Sequence, residues 1–297
     1  MKRWQTLWPL YLTLLAAAGC GAPFQATRAV SLTAPWNEYE RVEVRVRNGG
    51  VELSSAETPE ASEVQISGQL QASGSSPSEA EANVEQLEVY AGPHSEDATT
   101  LLVELRSPPT LQNRNVGASL VIHVPQACAA RIRTSNGRIH VVRMRDDVDA
   151  KSSNGHVHVE DVQGQVHVDT SNGGLELRNI TGDVSAETRN GGIQAERITG
   201  NCDLSTSNGR IECDVTPPTD GHVDLHTSNG RIELTLPLDL AADLDASTSN
   251  GRVRFDLGDT PLKHVDMDRN HAQATMNAGG CRVRARTSNG SITLRAR

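Results

Sequence analysis

Residues 170–191, TSNGGLELRNITGDVSAETRNG, hold one complete repeat, and this repeat decides the fold. The Asn-Gly pair that begins at Asn172 returns at Asn190, and Gly182 stands halfway between the glycines of the two pairs. Apolar and polar residues alternate after each of these turns, which is the period of a β-strand. The repeat therefore predicts two β-arms, each of which ends at a turn.

The same corner recurs from Asn136 to Asn289, first at the spacing of Asn172 and Asn190 and then at the slightly wider one of Asn208 and Asn229. A fixed period near twenty residues is typical of repeat proteins. Asn and Gly suit each corner because both tolerate positive φ. We interpret the asparagines as an internal amide ladder, with a ligand-binding array as the alternative. The corner asparagines are Asn136, Asn154, Asn172, Asn190, Asn208, Asn229, Asn250 and Asn289.

Equal repeats favour an all-β fold, a β-solenoid (β-helix) of about 18–21-residue coils with two β-arms per coil, over residues 126–297. A single-layer antiparallel meander is the competing reading, but it would leave one apolar row in water. The gap between Asn250 and Asn289 is long enough for two coils, which predicts one degenerate coil with its corner at His271. Val265 and Met267 should then face inward.

The N-terminus has the anatomy of a lipoprotein signal peptide over residues 1–19. A basic start is followed by an apolar run and by small residues before Cys20, which resembles the lipobox of bacterial lipoproteins. The resemblance implies lipidation of Cys20 and attachment to a membrane through the acyl chains. Gly21, in place of an aspartate, favours the outer membrane of a Gram-negative bacterium. An ordinary secretory signal is the alternative.

Residues 20–35 read as a tether, and residues 36–125 as a β-rich section that starts or caps the solenoid. Asn48-Gly49-Gly50 follows an alternating stretch and resembles one isolated coil corner. Residues 78–90 predict a helix, because Ala80, Val84 and Leu87 fall on one helical face after Pro77.

Composition argues against several functions. The 297 residues carry a net charge of −9, which argues against nucleic acid as a partner. We find no nucleophile elbow, phosphate loop or convergent carboxylate pair, so the sequence predicts a non-enzyme without a cofactor. Asp203, Asp224 and Asp245 form an acidic column, but they repeat too regularly to mark one catalytic coil. A β-helix enzyme acting on polysaccharide is the minor alternative.

Three short insertions fall at the corner opposite Asn-Gly, and each carries proline and aspartate. Insertions in repeat proteins gather on one face, which is often the binding face. The preferred interpretation is a wider corner that simply tolerates proline, but we also name a candidate partner face there. Its residues are Pro217, Pro218, Asp220, Pro237, Asp239, Asp259 and Pro261.

Two further sets of side chains have metal or redox chemistry. His140, His158 and Glu176 share one column and have the ligand types of a divalent-metal site, but we prefer the interpretation of a solvated polar face, because no second shell is evident. Cys202 and Cys213 point inward from the two arms of one coil. We expect them to be unbridged thiols, because their positions are staggered and sheets pack about 10 Å apart.

The run of Thr-Ser-Asn-Gly, then apolar-x-apolar, then x-Gly-x-Val resembles the bacterial "putative adhesin" family of β-strand-repeat lipoproteins. The likeness covers residues 125–297 and extends more loosely from Trp36 to Pro125. It implies a β-helical fold and a cell-envelope setting, and it carries no catalytic residues. For a binding role we expect a protein or glycan ligand. Two hypotheses follow: a lipid-anchored solenoid for binding or adhesion, and a periplasm-facing structural or regulatory protein with a protein partner.

Overall fold

The computed structural model of the protein describes residues 12–15, 24–36, 39–56, 62–112, 114–125 and 128–297. The chain divides into two compact units, Met1–Met144 and Arg145–Arg297. Asn136, the first corner of the regular repeats, thus belongs to the first unit, whereas the sequence suggested a boundary near residue 125. Cys20 and most of the predicted signal peptide lie outside the described residues.

The first unit combines ten described strands with one α-helix, α1 (Pro77–Glu85), and one 3-10 turn (Pro109–Leu111). Its strands are β1 (Leu12–Leu15), β2 (Phe24–Pro35), β3 (Arg41–Asn48), β4 (Val51–Ser55), β5 (Glu63–Gly74), β6 (Glu88–Pro93), β7 (Thr100–Arg106), β8 (Val116–Val124), β9 (Ala129–Asn136) and β10 (Ile139–Met144). No helix among the described residues is long and apolar enough to cross a membrane.

Parallel coils form the centre of the first unit. Strand β3 lies between β7 and β9, and β4 lies between β8 and β10, all in parallel. The corner expected at Asn48 is confirmed, because the Asn136 Nδ2 donates to Asn48 Oδ1 at 2.8 Å. Antiparallel strands flank these coils, with β5 and β2 beyond β8 and with β6 beyond β7.

Two expectations for this unit were wrong. The predicted tether is strand β2 from Phe24 onward, and it pairs with β5 over its whole length. The helix begins as expected, since Ser76 Oγ accepts from the Glu79 amide and Pro77 occupies the first turn. It ends at Glu85 rather than at residue 90, because Val89 and Tyr90 pair with β7 in strand β6.

The second unit contains sixteen strands. They are β11 (Val148–Asn154), β12 (Val157–Gln163), β13 (Val166–Asn172), β14 (Leu175–Thr181), β15 (Val184–Asn190), β16 (Ile193–Thr199), β17 (Cys202–Asn208), β18 (Ile211–Thr216), β19 (His222–Asn229), β20 (Ile232–Leu236), β21 (Ala242–Asn250), β22 (Val253–Asp256), β23 (Leu262–Met267), β24 (His271–Met276), β25 (Cys281–Asn289) and β26 (Ile292–Ala296).

The predicted β-solenoid is confirmed in this unit. Strands stack in parallel with a register of one repeat, so that Val157 pairs with Leu175 and Leu175 pairs with Ile193. The inward rows of both arms are buried between the two sheets, with Leu177 and Leu225 each at 0% exposure. Burial of each such side chain contributes about 1.5–3 kcal/mol, and this repeated contribution stabilises the stack.

The order of the last coils differs from the sequence order. Strand β25 lies between β19 and β21, and β26 lies between β20 and β22. We call residues 281–297, which contain β25 and β26, the C-terminal coil. Asn289 consequently stands between Asn229 and Asn250, whereas the sequence suggested that it would follow Asn250 after one degenerate coil.

The degenerate coil at His271 was a wrong prediction. Residues 262–276 form an antiparallel hairpin of β23 and β24, and β24 pairs antiparallel with β21. Val265 and Met267, expected to face inward, are 50% and 45% exposed. The reason is steric: at regular corners a Cβ in place of the glycine would overlap the carbonyl oxygen of the neighbouring coil, and the residue after His271, which would take the glycine position, is Ala272.

Candidate binding surface

The corner asparagines are joined in a hydrogen-bonded ladder. From Asn172 onward, each Nδ2 donates to the Oδ1 of the asparagine in an adjacent coil at 2.8 or 2.9 Å, as from Asn172 to Asn154 and from Asn190 to Asn172. The ladder continues through Asn208, Asn229, Asn289 and Asn250 in that order. These amides satisfy one another, which is the arrangement expected of a structural corner.

A row of threonines lies beside the asparagine ladder, on the inner side of the corner. Thr188 Oγ1 donates to the carbonyl oxygen of Gly173 at 3.0 Å, and Thr206 Oγ1 donates to that of Gly191 at 2.9 Å. Both threonines are 1% exposed. The Asn-Gly corners are therefore internally bonded.

The three insertions form loops at the opposite ends of their strands. We call residues 217–221, 237–241 and 257–261 together the loop edge. Asp220, Asp239 and Asp259 are exposed, as are Pro218 and Pro261. Pro217 is buried and Pro237 is half-buried, so these two prolines shape their loops rather than offer a surface.

Asn277 joins two of the three loops, and the sequence reasoning missed it. Its Nδ2 donates to the carbonyl oxygens of Leu238 at 3.0 Å and Leu240 at 2.7 Å. Its backbone amide donates to the carbonyl oxygen of Pro261 at 2.9 Å. Asn277 adopts φ +55°, a conformation that asparagine tolerates. The available signal was the turn-forming run Asn277-Ala278-Gly279-Gly280.

Arg297 also holds the loop edge in place. The Leu238 amide donates to the carbonyl oxygen of Arg297 at 3.0 Å. The Arg297 side chain donates to Asp214 Oδ1 at 2.6 Å and to Thr216 Oγ1 at 3.2 Å. The loop of residues 237–241 is thus fixed by backbone and side-chain bonds on both flanks.

Leu238 is the apolar feature of this edge. Its side chain is 50% exposed, although the backbone on which it stands is bonded to Asn277 and Arg297. Aspartates stand exposed in all three loops. The loop edge therefore offers an exposed apolar side chain on a hydrogen-bonded backbone, in loops that also carry exposed aspartates.

The histidine column does not assemble a metal site among the described residues, where no group of three His, Cys, Asp or Glu side chains suits a metal ion. His158 Nδ1 lies 3.0 Å from Glu176 Oε2, and Nε2 lies 3.2 Å from Glu160 Oε2. The hydrogen bond from His158, aided by the charge of Arg178, lowers the pKa of Glu176. His140 lies on β10 of the first unit.

Cys202 and Cys213 are free thiols in the core, with their sulfurs 3.8 Å apart. The stagger expected from sequence does not keep the two side chains apart, since they are in contact across the two sheets. The neighbouring Cys202 thiol, and then burial, raise the pKa of Cys213. Burial also raises the pKa of Cys281 to about 11. The thiols of Cys213 and Cys281 are therefore poor nucleophiles.

The family model described as Toastrack DUF4097 matches residues 18–295. A "putative adhesin" of known structure from Bacteroides fragilis NCTC 9343 is 11% identical, with 91% of this chain and 97% of that chain covered and a TM-score of 0.46. A "putative cell adhesion protein" from Clostridium sporogenes ATCC 15579 is 10% identical, with 91% and 100% covered and a TM-score of 0.28. No curated protein matches this chain.

Proposed function

Because this chain belongs to the Toastrack DUF4097 family, we propose that it is a non-catalytic binding protein of the cell envelope whose loop edge contacts the partner. The observation that carries this proposal is Leu238, an exposed apolar side chain on a loop that Asn277 and Arg297 hold in place. A preorganised apolar side chain can be buried by a partner without a further loss of loop entropy.

The charge of the edge suggests the character of the partner. Asp220, Asp239 and Asp259 surround the loops with carboxylates and favour a partner surface with basic or hydrogen-bond-donating groups. Lipidation of Cys20 would fix the chain to a bilayer, and an outer-membrane position would present the solenoid for adhesion. Such a display role needs a rigid scaffold rather than a catalytic centre.

Binding of the purified chain to envelope fractions and intact cells of the producing bacterium tests this function. We compare the wild type with Leu238→Asp and Val265→Asp, because both replaced side chains are 50% exposed and only Leu238 belongs to the loop edge. Leu238→Asp should weaken binding about tenfold or more. The Val265 variant should bind like the wild type. Equal losses in both variants, or no wild-type binding, would contradict the proposal.

A periplasm-facing structural or regulatory role would use the same loop edge for a protein partner. Protease treatment of intact cells, with lysed cells as the control, separates the two settings. Digestion on intact cells supports adhesion. Protection until lysis supports the periplasmic role, in which case deletion of residues 216–220 should abolish the capture of an envelope protein.

A further inference from the structure

The C-terminal coil fills a slot between two coils that are consecutive in sequence. In one sheet β25 pairs with β19 on one side and with β21 on the other, and in the second sheet β26 pairs with β20 and β22 in the same way. Residues 281–297 are therefore inserted between strands that all come earlier in the sequence.

Charge complementarity distinguishes the inserted arrangement from the sequential one. Arg284 lies between Asp224 at 3.7 Å and Asp245 at 3.8 Å, and Arg286 lies 3.3 Å from Asp245. In a sequential stack Asp224 and Asp245 would be direct cross-strand neighbours, since both occupy the same position relative to their corners. Like charges in that position repel, so the arginines of the C-terminal coil make the slot favourable.

The slot lies between β19 and β20 on one side and β21 and β22 on the other. It binds the C-terminal coil through residues that every copy of the chain carries. Asn289 accepts from Asn250 and donates to Asn229, both at 2.9 Å. Thr287 Oγ1 donates to the carbonyl oxygen of Gly230 at 3.0 Å. None of these contacts depends on the linker that leads into the coil, so the C-terminal coil of a second copy meets the same bonds.

The linker into the C-terminal coil is short. Met276 and Cys281 both pair with Ala242, from opposite sides of β21. The chain must therefore cross two strand spacings, about 10 Å, within residues 277–280. Asn277, Gly279 and Gly280 in this linker adopt φ of +55°, +75° and +140°. Short linkers of this kind favour the exchange of an element between copies.

We propose that two copies of this chain associate by exchanging C-terminal coils, so that each coil fills the slot of the other copy. The partner of this surface is a second identical chain, and the contacts in the exchanged dimer are those seen within one chain. Only the path of residues 277–280 changes. The exchange re-routes Asn277, which also bonds to the loop edge, so the two proposals need separate readouts: molecular mass for coil exchange and partner binding for the loop edge.

Shortening the linker tests the exchange. Deletion of Ala278 and Gly279 leaves three Cα–Cα steps, at most about 11 Å, which cannot also pass around β21. We expect the full-length variant to elute at twice the monomer mass in size-exclusion chromatography with light scattering, with the far-UV spectrum of the wild type. An insertion of Gly-Ser-Gly after Gly279 is the matched control and should remain monomeric. A folded, monomeric deletion variant would overturn the proposal.

A second test keeps the linker intact. Arg284→Asp places a carboxylate between two aspartates, and the double substitution Asp224→Arg with Asp245→Arg places arginines around Arg284. In each variant, position 284 of the coil and positions 224 and 245 of the slot carry charges of the same sign and repel. The coil of one variant and the slot of the other carry opposite charges at these positions and attract. Co-refolded at low salt, the two should form a one-to-one dimer at least tenfold more abundant than the dimer of either alone. No increase in the mixture would refute coil exchange, whatever the behaviour of the deletion variant.

Discussion

At the residue scale, two adjacent glycines of one corner have different reasons to be glycine. A Cβ on Gly191 would overlap the carbonyl oxygen of Gly173 in the neighbouring coil. A Cβ on Gly192 would approach no atom more closely than 3.4 Å, at the carbonyl oxygen of Arg210. The first glycine of a corner is thus required by the close approach of two backbones, whereas the second is replaced by other residues, such as Arg210 after Gly209.

We therefore expect Gly191→Ala to destabilise the protein by about 2–4 kcal/mol, because backbone atoms on both coils must move. Gly192→Ala should change the free energy of unfolding by less than about 1 kcal/mol. Urea denaturation of both variants measures the difference. Similar losses would show that the contact between coils does not explain the corner glycine.

His158 and Glu176 predict a pH dependence. The pKa of Glu176 is lowered from 4.5, first by the hydrogen bond from His158. A lowered carboxyl pKa stabilises the fold above pH 4.5, and this contribution disappears as the pH falls through the folded-state value. His158→Ala should therefore be less stable than the wild type near pH 6, and the difference in unfolding free energy should narrow as the pH falls below 4.5. His226→Ala, at an exposed position, is the control. A gap that widens in acid would contradict this assignment.

At the element scale, sequence reasoning succeeded where equal lengths dictate register. Residues 148–216 follow one repeat, so Asn154, Asn172 and Asn190 necessarily align when the arms stack in parallel. The inward rows followed from the same alternation. The helix was found, but its end was not, because pairing of Val89 with β7 is a long-range contact that local periodicity does not contain.

The order of the last coils was not predictable from the corner motif. Thr287-Ser288-Asn289-Gly290 is identical to Thr248-Ser249-Asn250-Gly251, so the corners do not specify which coil lies next to Asn229. The information lies in outward charges, where Arg284 meets Asp224 and Asp245. The loop edge was found through its insertions. Asn277 was missed because its role depends on bonds to two loops that are distant from each other in sequence.

At the scale of the whole molecule, antiparallel strands flank both parallel stacks of the first unit and one of the two in the second unit, where the other stack ends at the parallel strand β22. In the first unit β5 and β6 flank the coils, and in the second unit β24 flanks β21. Open edges of parallel stacks would recruit other chains, and such flanking strands reduce that risk. Of the strands that lie out of sequence order, β3, β4 and β25 are each separated from an antiparallel flanking strand by one parallel strand, whereas β26 has only the parallel strand β22 beyond it.

Strand β23 is the outermost strand of its sheet, and its side chains show how the edge is protected. Its pairing with β24 is irregular between Lys263 and Asp266, and His264 adopts φ +50°. Irregular pairing and exposed charges both discourage the addition of another strand. Asp266 is the charge that separates two exposed apolar residues, Val265 and Met267.

Asp266→Val should therefore produce concentration-dependent self-association, because it joins three apolar residues on an unpaired edge. Glu187→Val is the matched control, since it removes the same charge from an exposed position on β15, which pairs with β13 and β17 on both sides. Light scattering over a dilution series measures the outcome. The edge determines association if only the Asp266 variant self-associates, and equal association of both variants would point to lost charge instead.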